Sequence, residues 1–537
     1  MQGKKHYQEK LFTQFSLSGR VPEHNFYRRL KEVLDLRWLY KRTKRYYGSE
    51  GQKSIDAVVF FKLILIGYLE NLGSDRRIIQ TAGMRLDMLY FLGYDIDEEL
   101  PWHSTLSRTR QLYSEEVFKQ LFRKVLSQCI DKGMVSGRRQ AIDSVPVKAN
   151  ASMSSLKRKE VLKDGEEYAG ELAEGNKNIS DDEGRDGNDN PTVSEWRNKS
   201  VEQHHSWKAK AYKGMPGGRK QSEEGTAEEE KYLPKFVSNH THYSTTDPDA
   251  KVSVKPGKPR QLNYHGQVSV DTASHIITGI EAHSADKKDS QCLPSVLSNT
   301  ISNLKSEGLI VEEVLCDGSY SSSEALKSLE QKSIKGYIPN FGQYKHTREG
   351  FTYNQQEDYY LCTRGVKLPF KRIKDSHDGA YQMRVYRSSS KDCGHCPLRS
   401  KCIGKSDFKK IEDTVDKAYY DRMHQRLQSP YAKRMKKLRS ATVEPVLGTL
   451  VNYLGMRRVN TRGLEGAGKC MLMAAVAYNL KKLLNHKPPK INAAVKKIKE
   501  KAGICFFYLL LILQPLIRGQ SRKTFCSMQP TIAIHKK

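Results

Sequence analysis

Long apolar runs are missing from this sequence. The longest, Ile504–Ile517, is broken by Gln514 and Pro515, and it falls short of the roughly 18 residues that a membrane-spanning helix needs. The opening MQGKKHYQEK is basic, but no apolar h-region follows it, so a secretory signal is not expected. Cysteine is sparse, at 10 in 537 residues, which excludes a disulfide scaffold. Acids are outnumbered by bases, 61 against 91, for a net charge of +30. No internal repeat is visible. A chain of this length holds about three or four domains. The expectation is a soluble, cytoplasmic protein with a polyanionic partner, most simply nucleic acid. A basic solubility surface or a ribosome-associated protein is the plainer alternative.

The stretch around which the rest is arranged is Gln140–Ser152, QAIDSVPVKANAS. Ala141 and Ile142 lead into Asp143, and Val145 and Val147 then alternate with polar neighbours, which predicts a buried strand with a carboxylate in its middle. A buried carboxylate is costly unless it is paired, hydrogen-bonded or bound to a metal. Asp143 therefore needs partners.

Residues 1–135 read as an all-helical domain. Ile55, Val58, Val59, Lys62 and Ile66 follow a helical period in a segment apolar on most faces, which predicts a buried helix. Glu116–Asp131 carries one apolar stripe, with Ser114 as N-cap and Gly133 as stop. Arg42, Lys44 and Arg45 lie among tyrosines, and Arg108 closes His103–Arg108, HSTLSR. Clustered bases with aromatics suit phosphate contacts and base packing; a solvated helix face is the alternative.

Residues 150–262 are rich in Lys, Glu, Gly, Ser and Asn and poor in large aliphatics, as in a flexible insertion. Its histidines 204, 205, 240 and 242 suggest a metal site less readily than surface histidines. Tyr264–Val270 and His275–Ala282 read as strands, Leu293–Leu304 as an amphipathic helix, and Leu309–Cys316 as a strand running into Asp317. A short helix capped from Ser321–Ser323 and a strand at Lys335–Ile338 follow. The order is that of a mixed α/β layer, with Asp317 at the carboxyl end of a strand, where open α/β sheets place their sites.

Cys362, Cys393, Cys396 and Cys402 interrupt at 341–410. Their spacing suits a four-thiolate zinc site, with His395 as an alternative ligand, or four reduced thiols. Val415–Leu438 reads as helical and basic. In Thr442–Gly448, Pro445 suits a first-turn position, so Glu444 is expected near a helix start. Arg457, Arg458 and Arg462 follow, and Cys470–Leu484 reads as a buried helix.

IDSVPVKANAS, LCDGSYSSSEAL and TVEPVLGTLVNYLGMRRVNTRGLEGAGK resemble the three catalytic blocks of the DDE transposases of bacterial insertion sequences. HSTLSR and CGHCPLRSKC are similar to segments of the branch whose type element is numbered eleven eighty-two. The resemblance spans roughly residues 20–485. It implies an RNase H-like mixed sheet with flanking helices, with the core in 136–149, 263–340 and 411–490 and a basic tail at 491–537. It implies Asp143, Asp317 and Glu444 as catalytic acids holding two Mg²⁺, with Mn²⁺ as a substitute. DNA would be the partner, as terminal repeats and target, and the protein at least a dimer on paired ends. Three carboxylates suit a hard, oxygen-preferring cation. Where the family usually has a basic residue two turns after the glutamate, this chain has Val451. Grip on the DNA end is therefore expected from Lys437, Arg457 or Arg458, while Arg439 lies farther before Glu444 than the family's arginine. A transposase-derived protein that binds DNA without cutting it is the second reading.

Overall fold

A computed structural model describes residues 15–48, 50, 54–158, 239, 242–253, 260–340, 344–375 and 381–486. The chain divides into two units, Met1–Leu484 and Asn485–Lys537. The elements below lie in the first, apart from the last residue of the final helix. The expected tail, its apolar run, and histidines 204, 205 and 240 lie outside the described residues. Among the described residues, no helix is long and apolar enough to cross a membrane.

Among the described residues, eight α-helices come first: α1 (Leu17–Arg20), α2 (Phe26–Val33), α3 (Trp38–Thr43), α4 (Ala57–Leu69), α5 (Asp75–Gly83), α6 (Leu86–Leu92), α7 (His103–Leu112) and α8 (Glu115–Asp131). Helix α4 starts where the Asp56 carboxylate accepts from Val58 N and Val59 N. It is buried nearly all round, as an apolar sequence without a polar face requires. Its Lys62 Nζ donates to the Phe91 carbonyl at 2.6 Å, and burial pushes this amine down to about 8. In α8 the stripe Val117, Phe118, Leu121, Phe122, Val125, Leu126 and Cys129 is buried. Ser114 sits at the N-cap but makes no side-chain cap bond; its hydroxyl pairs with Tyr46 at 2.7 Å instead.

The sheet at the centre contains β1 (Arg139–Lys148), β4 (Lys251–Ser253), β5 (Gln261–Asp271), β6 (Ile277–Ser284), β7 (Glu313–Leu315) and β8 (Lys335–Tyr337), and a separate pair joins β2 (Leu156–Arg158) to β3 (His242–Ser244). Strand β1 pairs antiparallel with β5 and parallel with β7; β5 pairs antiparallel with β6, and β7 parallel with β8. Three antiparallel strands followed by two parallel ones, with β1 in the middle, make an RNase H-like core. Helix α9 (Asp289–Lys305) carries the chain from β6 across to β7, and α10 (Ser323–Gln331) joins β7 to β8, since parallel neighbours need a long connection. One apolar core takes in the N-terminal helices, both faces of this sheet and the last helix.

A second sheet occupies the cysteine segment: β9 (Phe351–Asn354), β10 (Tyr359–Cys362), β11 (Lys367–Asp375), β12 (Gln382–Arg387) and β13 (Lys410–Thr414), all antiparallel, with short α11 (Ser390–Gly394) and α12 (Arg399–Cys402). The sequence reading does not anticipate it, since few of its side chains are apolar. The basic helix expected over Val415–Leu438 is two helices. The first is α13 (Lys417–Leu427). The second, α14 (Pro430–Tyr453), begins at Ser429, whose side chain accepts from Ala432 N, with Pro430 in its first turn. Glu444 is therefore well inside a long helix rather than at its start, and Pro445 is an interior proline. Such a proline costs about 3 kcal/mol. Burial of Thr442, Val443, Val446 and Leu450 along one face offsets it. Helix α15 (Leu464–Asn485) is buried along most of its length.

Candidate active site

Strand register brings the first two acids together. Ala141 of β1 is the parallel partner of Leu315 of β7. Asp143 stands two residues farther along β1 and Asp317 two residues past Leu315, just beyond the end of β7, so the parallel pairing directs both toward the same level, and the Asp317 charge reaches Asp143. Asp143 lies on the face of β1 that also holds Ala141, Val145 and Val147, since alternate residues share a face. Its Oδ1 accepts from Ser144 N at 2.8 Å. Desolvation raises its pKa above the usual carboxylate range, and the nearby charge of Asp317 adds to the rise. The Ser144 N–H and the Arg439 guanidinium pull the other way.

Asp317 leaves β7 into a single tight turn, Gly318–Tyr320, where its Oδ1 accepts from Ser319 N at 2.9 Å and from the Ser319 hydroxyl. Tyr320 is buried beneath, with its hydroxyl on Gln267.

Glu444 comes from α14, which packs on β1. The link is Arg439, one turn earlier on that helix. Its Nη1 reaches Asp143 Oδ2 at 2.8 Å, and its Nη2 stands 3.8 Å from Glu444 Oε1. Arg439 and Asp143 are largely buried, whereas the Glu444 side chain is 64% exposed. A fixed positive charge thus stands between two of the three expected acids. Among the described residues, no three His, Cys, Asp or Glu side chains are grouped closely enough to hold a metal ion.

The other expected residues are more scattered. Arg42, Lys44, Arg45, Arg108 and Lys437 are exposed, and Arg45 lies over the Tyr46 ring at 4.8 Å. Arg457, Arg458 and Arg462 are exposed in the loop after α14. Arg458 donates to Asn150 Oδ1 at 2.8 Å, and its backbone bridges to Lys148, the last residue of β1. Val451 packs on the apolar core. The thiols of Cys362, Cys393, Cys396 and Cys402 are free and half-buried, and they are not drawn into a ligand set. Cys393 Sγ instead lies 3.0 Å from the Ser388 hydroxyl.

The sequence reading missed Ser319, which touches Asp317, and behind it Asp289 with Gln267 and His265. Asp289 reads only as a first-turn helix acid, and nothing in the pattern around it says what it faces.

Two families of known domains match the chain. The family described as Transposase domain (DUF772) matches residues 15–112, across the N-terminal helices. The family described as Transposase DDE domain matches residues 361–484, from β10 through α15.

The chain belongs to the DDE transposases of insertion sequences.

Of the three expected acids, Glu444 lies within the second matched span, and Asp143 and Asp317 lie before it. No curated protein matches the chain. As a transposase it is an enzyme of DNA, and its family generally works with a divalent metal such as magnesium.

Proposed function

We propose that this transposase binds the terminal repeats of its own insertion sequence and catalyses strand cleavage and strand transfer with Asp143, Asp317 and Glu444. The observation that carries the reading is the register that sets Asp143 beside Asp317 under a helix bearing Glu444. We assign the chain to the branch numbered eleven eighty-two, on HSTLSR and CGHCPLRSKC, and expect it to act in the cytoplasm as at least a dimer, because two DNA ends must be joined.

The donor set fits a hard divalent cation. All three side chains offer carboxylate oxygens. The desolvated charge on Asp143, disfavoured further by Asp317, is relieved by any cation placed there, and Arg439 already supplies one positive charge at Asp143. Asp143, Asp317 and Glu444 would hold Mg²⁺ or Mn²⁺, which when bound activates an attacking oxygen and stabilises a leaving one at phosphorus. Cys362, Cys393, Cys396 and Cys402 are kept as the proposed ligands of a zinc ion, since thiolate donors suit that metal.

The protein's own residues do the positioning. Ser144 N–H and Arg439 fix the Asp143 carboxylate, and the tight turn fixes Asp317. Exposed Lys437, Arg457, Arg458 and Arg462 are suited to phosphate contacts, and Arg42, Lys44, Arg45 and Arg108 to a second DNA segment. The assay is purified protein with Mg²⁺ and the element's end DNA. Metal-dependent cleavage that is lost in Glu444→Gln supports the reading. A parent protein that binds ends and never cuts them favours the second reading, an inert DNA-binding derivative, for which Val451 in place of a basic residue is the motive.

A further inference from the structure

Asp289 begins α9 as a fourth carboxylate at the site, and its side chain is only 16% exposed. Each of its oxygens is engaged. Oδ2 accepts from the Ser319 hydroxyl at 2.8 Å. Oδ1 accepts from Gln267 Nε2 at 2.9 Å and lies 3.5 Å from His265 Nε2. Gln267 is fully buried on β5, and the Tyr320 hydroxyl on its Oε1 turns its amide N–H toward Asp289. Asp289 is thus held from two sides by strand β5 and the turn after β7.

Ser319 Oγ also touches Asp317 Oδ1. A serine hydroxyl has one proton to donate, so Asp289 and Asp317 compete for it. Asp317 Oδ1 already takes the Ser319 backbone N–H. With the hydroxyl proton as well, that oxygen has little capacity left for a cation. With the proton on the Asp289 side, Ser319 Oγ turns lone pairs toward Asp317 Oδ1, an arrangement that a cation next to both oxygens stabilises.

Resting on the proposed role of Asp317, we propose that Asp289 is a positioning residue that draws the Ser319 hydroxyl proton away from Asp317 and so raises the affinity of the site for a divalent cation. Partners of this kind typically change metal affinity 10–100-fold.

The test is direct titration of the full chain with Mn²⁺, reading free Mn²⁺ by its electron-spin resonance, alongside the metal-free melting temperature and end-DNA binding. Asp289→Asn keeps shape and an acceptor toward Gln267. It should weaken Mn²⁺ binding by about tenfold or more and leave end binding and the metal-free melt close to the parent. Adding Ser319→Ala removes the proton altogether, so the double variant should recover most of the lost affinity, which a merely structural role for Asp289 does not predict. Asp289→Asn binding Mn²⁺ like the parent overturns the proposal, as does a double variant weaker than Asp289→Asn alone. If Asp317→Asn binds Mn²⁺ like the parent, the reading of the site itself fails and this proposal falls with it.

Discussion

Strands β5 and β11 are comparable in length and opposite in surroundings. In β5, nearly every residue from Leu262 to Asp271 is buried, because helices cover both faces of its sheet. In β11, KLPFKRIKD, Leu368 alone is buried, and Lys367, Lys371 and Arg372 are out in solvent. The first sheet is part of one large apolar core. The second closes over four buried residues, Tyr360, Leu368, Tyr386 and Ile411. Polar contacts make up the difference: Tyr360 and Arg348 on Asp413, and Tyr386 and Arg384 on Asp358. The proposed catalytic aspartates, Asp143 and Asp317, are carried by the sheet whose strands cannot shift without disturbing the core. The other sheet presents charge.

The strongest way to break that contrast is at the acids. Asp143→Asn, Asp317→Asn and Glu444→Gln should each lower Mg²⁺-dependent cleavage by on the order of a thousandfold or more, since each loses a ligand of a group worth several kcal/mol. End binding, measured by mobility shift in the same preparation, should be unchanged, because it rests on Lys and Arg elsewhere. A Glu444→Gln protein that cuts normally would mean another acid does the work.

Next comes truncation of each core. Leu293→Ala, on α9 against the first sheet, should cost about 3–5 kcal/mol, and Ile411→Ala, in the small core, nearer about 2 kcal/mol, since a thin core relaxes around the gap. Denaturant unfolding gives both values; equal costs would show that the second sheet is packed as tightly as the first. A smaller effect, about 1–2 kcal/mol, is expected for Tyr360→Phe, which removes a buried hydrogen bond to a carboxylate. It should appear as faster amide exchange confined to β10–β13, and exchange rising equally in β1 and β5 would contradict the separation of the two sheets.

The least effect is on charge alone. Lys371 and Arg372 are exposed on β11. If this face meets DNA, each Ala substitution should reduce the slope of log affinity against log salt by about 1 and leave the folded stability alone. Slopes identical to the parent would remove the second sheet from the DNA path.

Much of the first sheet was readable from the chain, and little of the second. Val145, Val147 and the apolar runs of β5 and β6 signal burial by local periodicity, as do the stripes of α8 and α9. In β11 a single buried leucine leaves no alternation to read. Pro445 misled for a similar reason. Propensity marks it as a helix start, but the energy that keeps α14 continuous comes from Val443, Val446 and Leu450 on a face that only packing reveals.

At the site the division is just as sharp. The sequence by itself determined which segments carry Asp143, Asp317 and Glu444, because burial patterns and the blocks around them are local properties of the chain. Tertiary structure alone decided that Asp143 and Asp317 share a level, that Arg439 stands between Asp143 and Glu444, and that Asp289 shares a serine proton with Asp317. Those pairings join residues far apart in sequence, and a hydrogen bond or a Coulomb interaction depends on distance through space, which no spacing along the chain encodes.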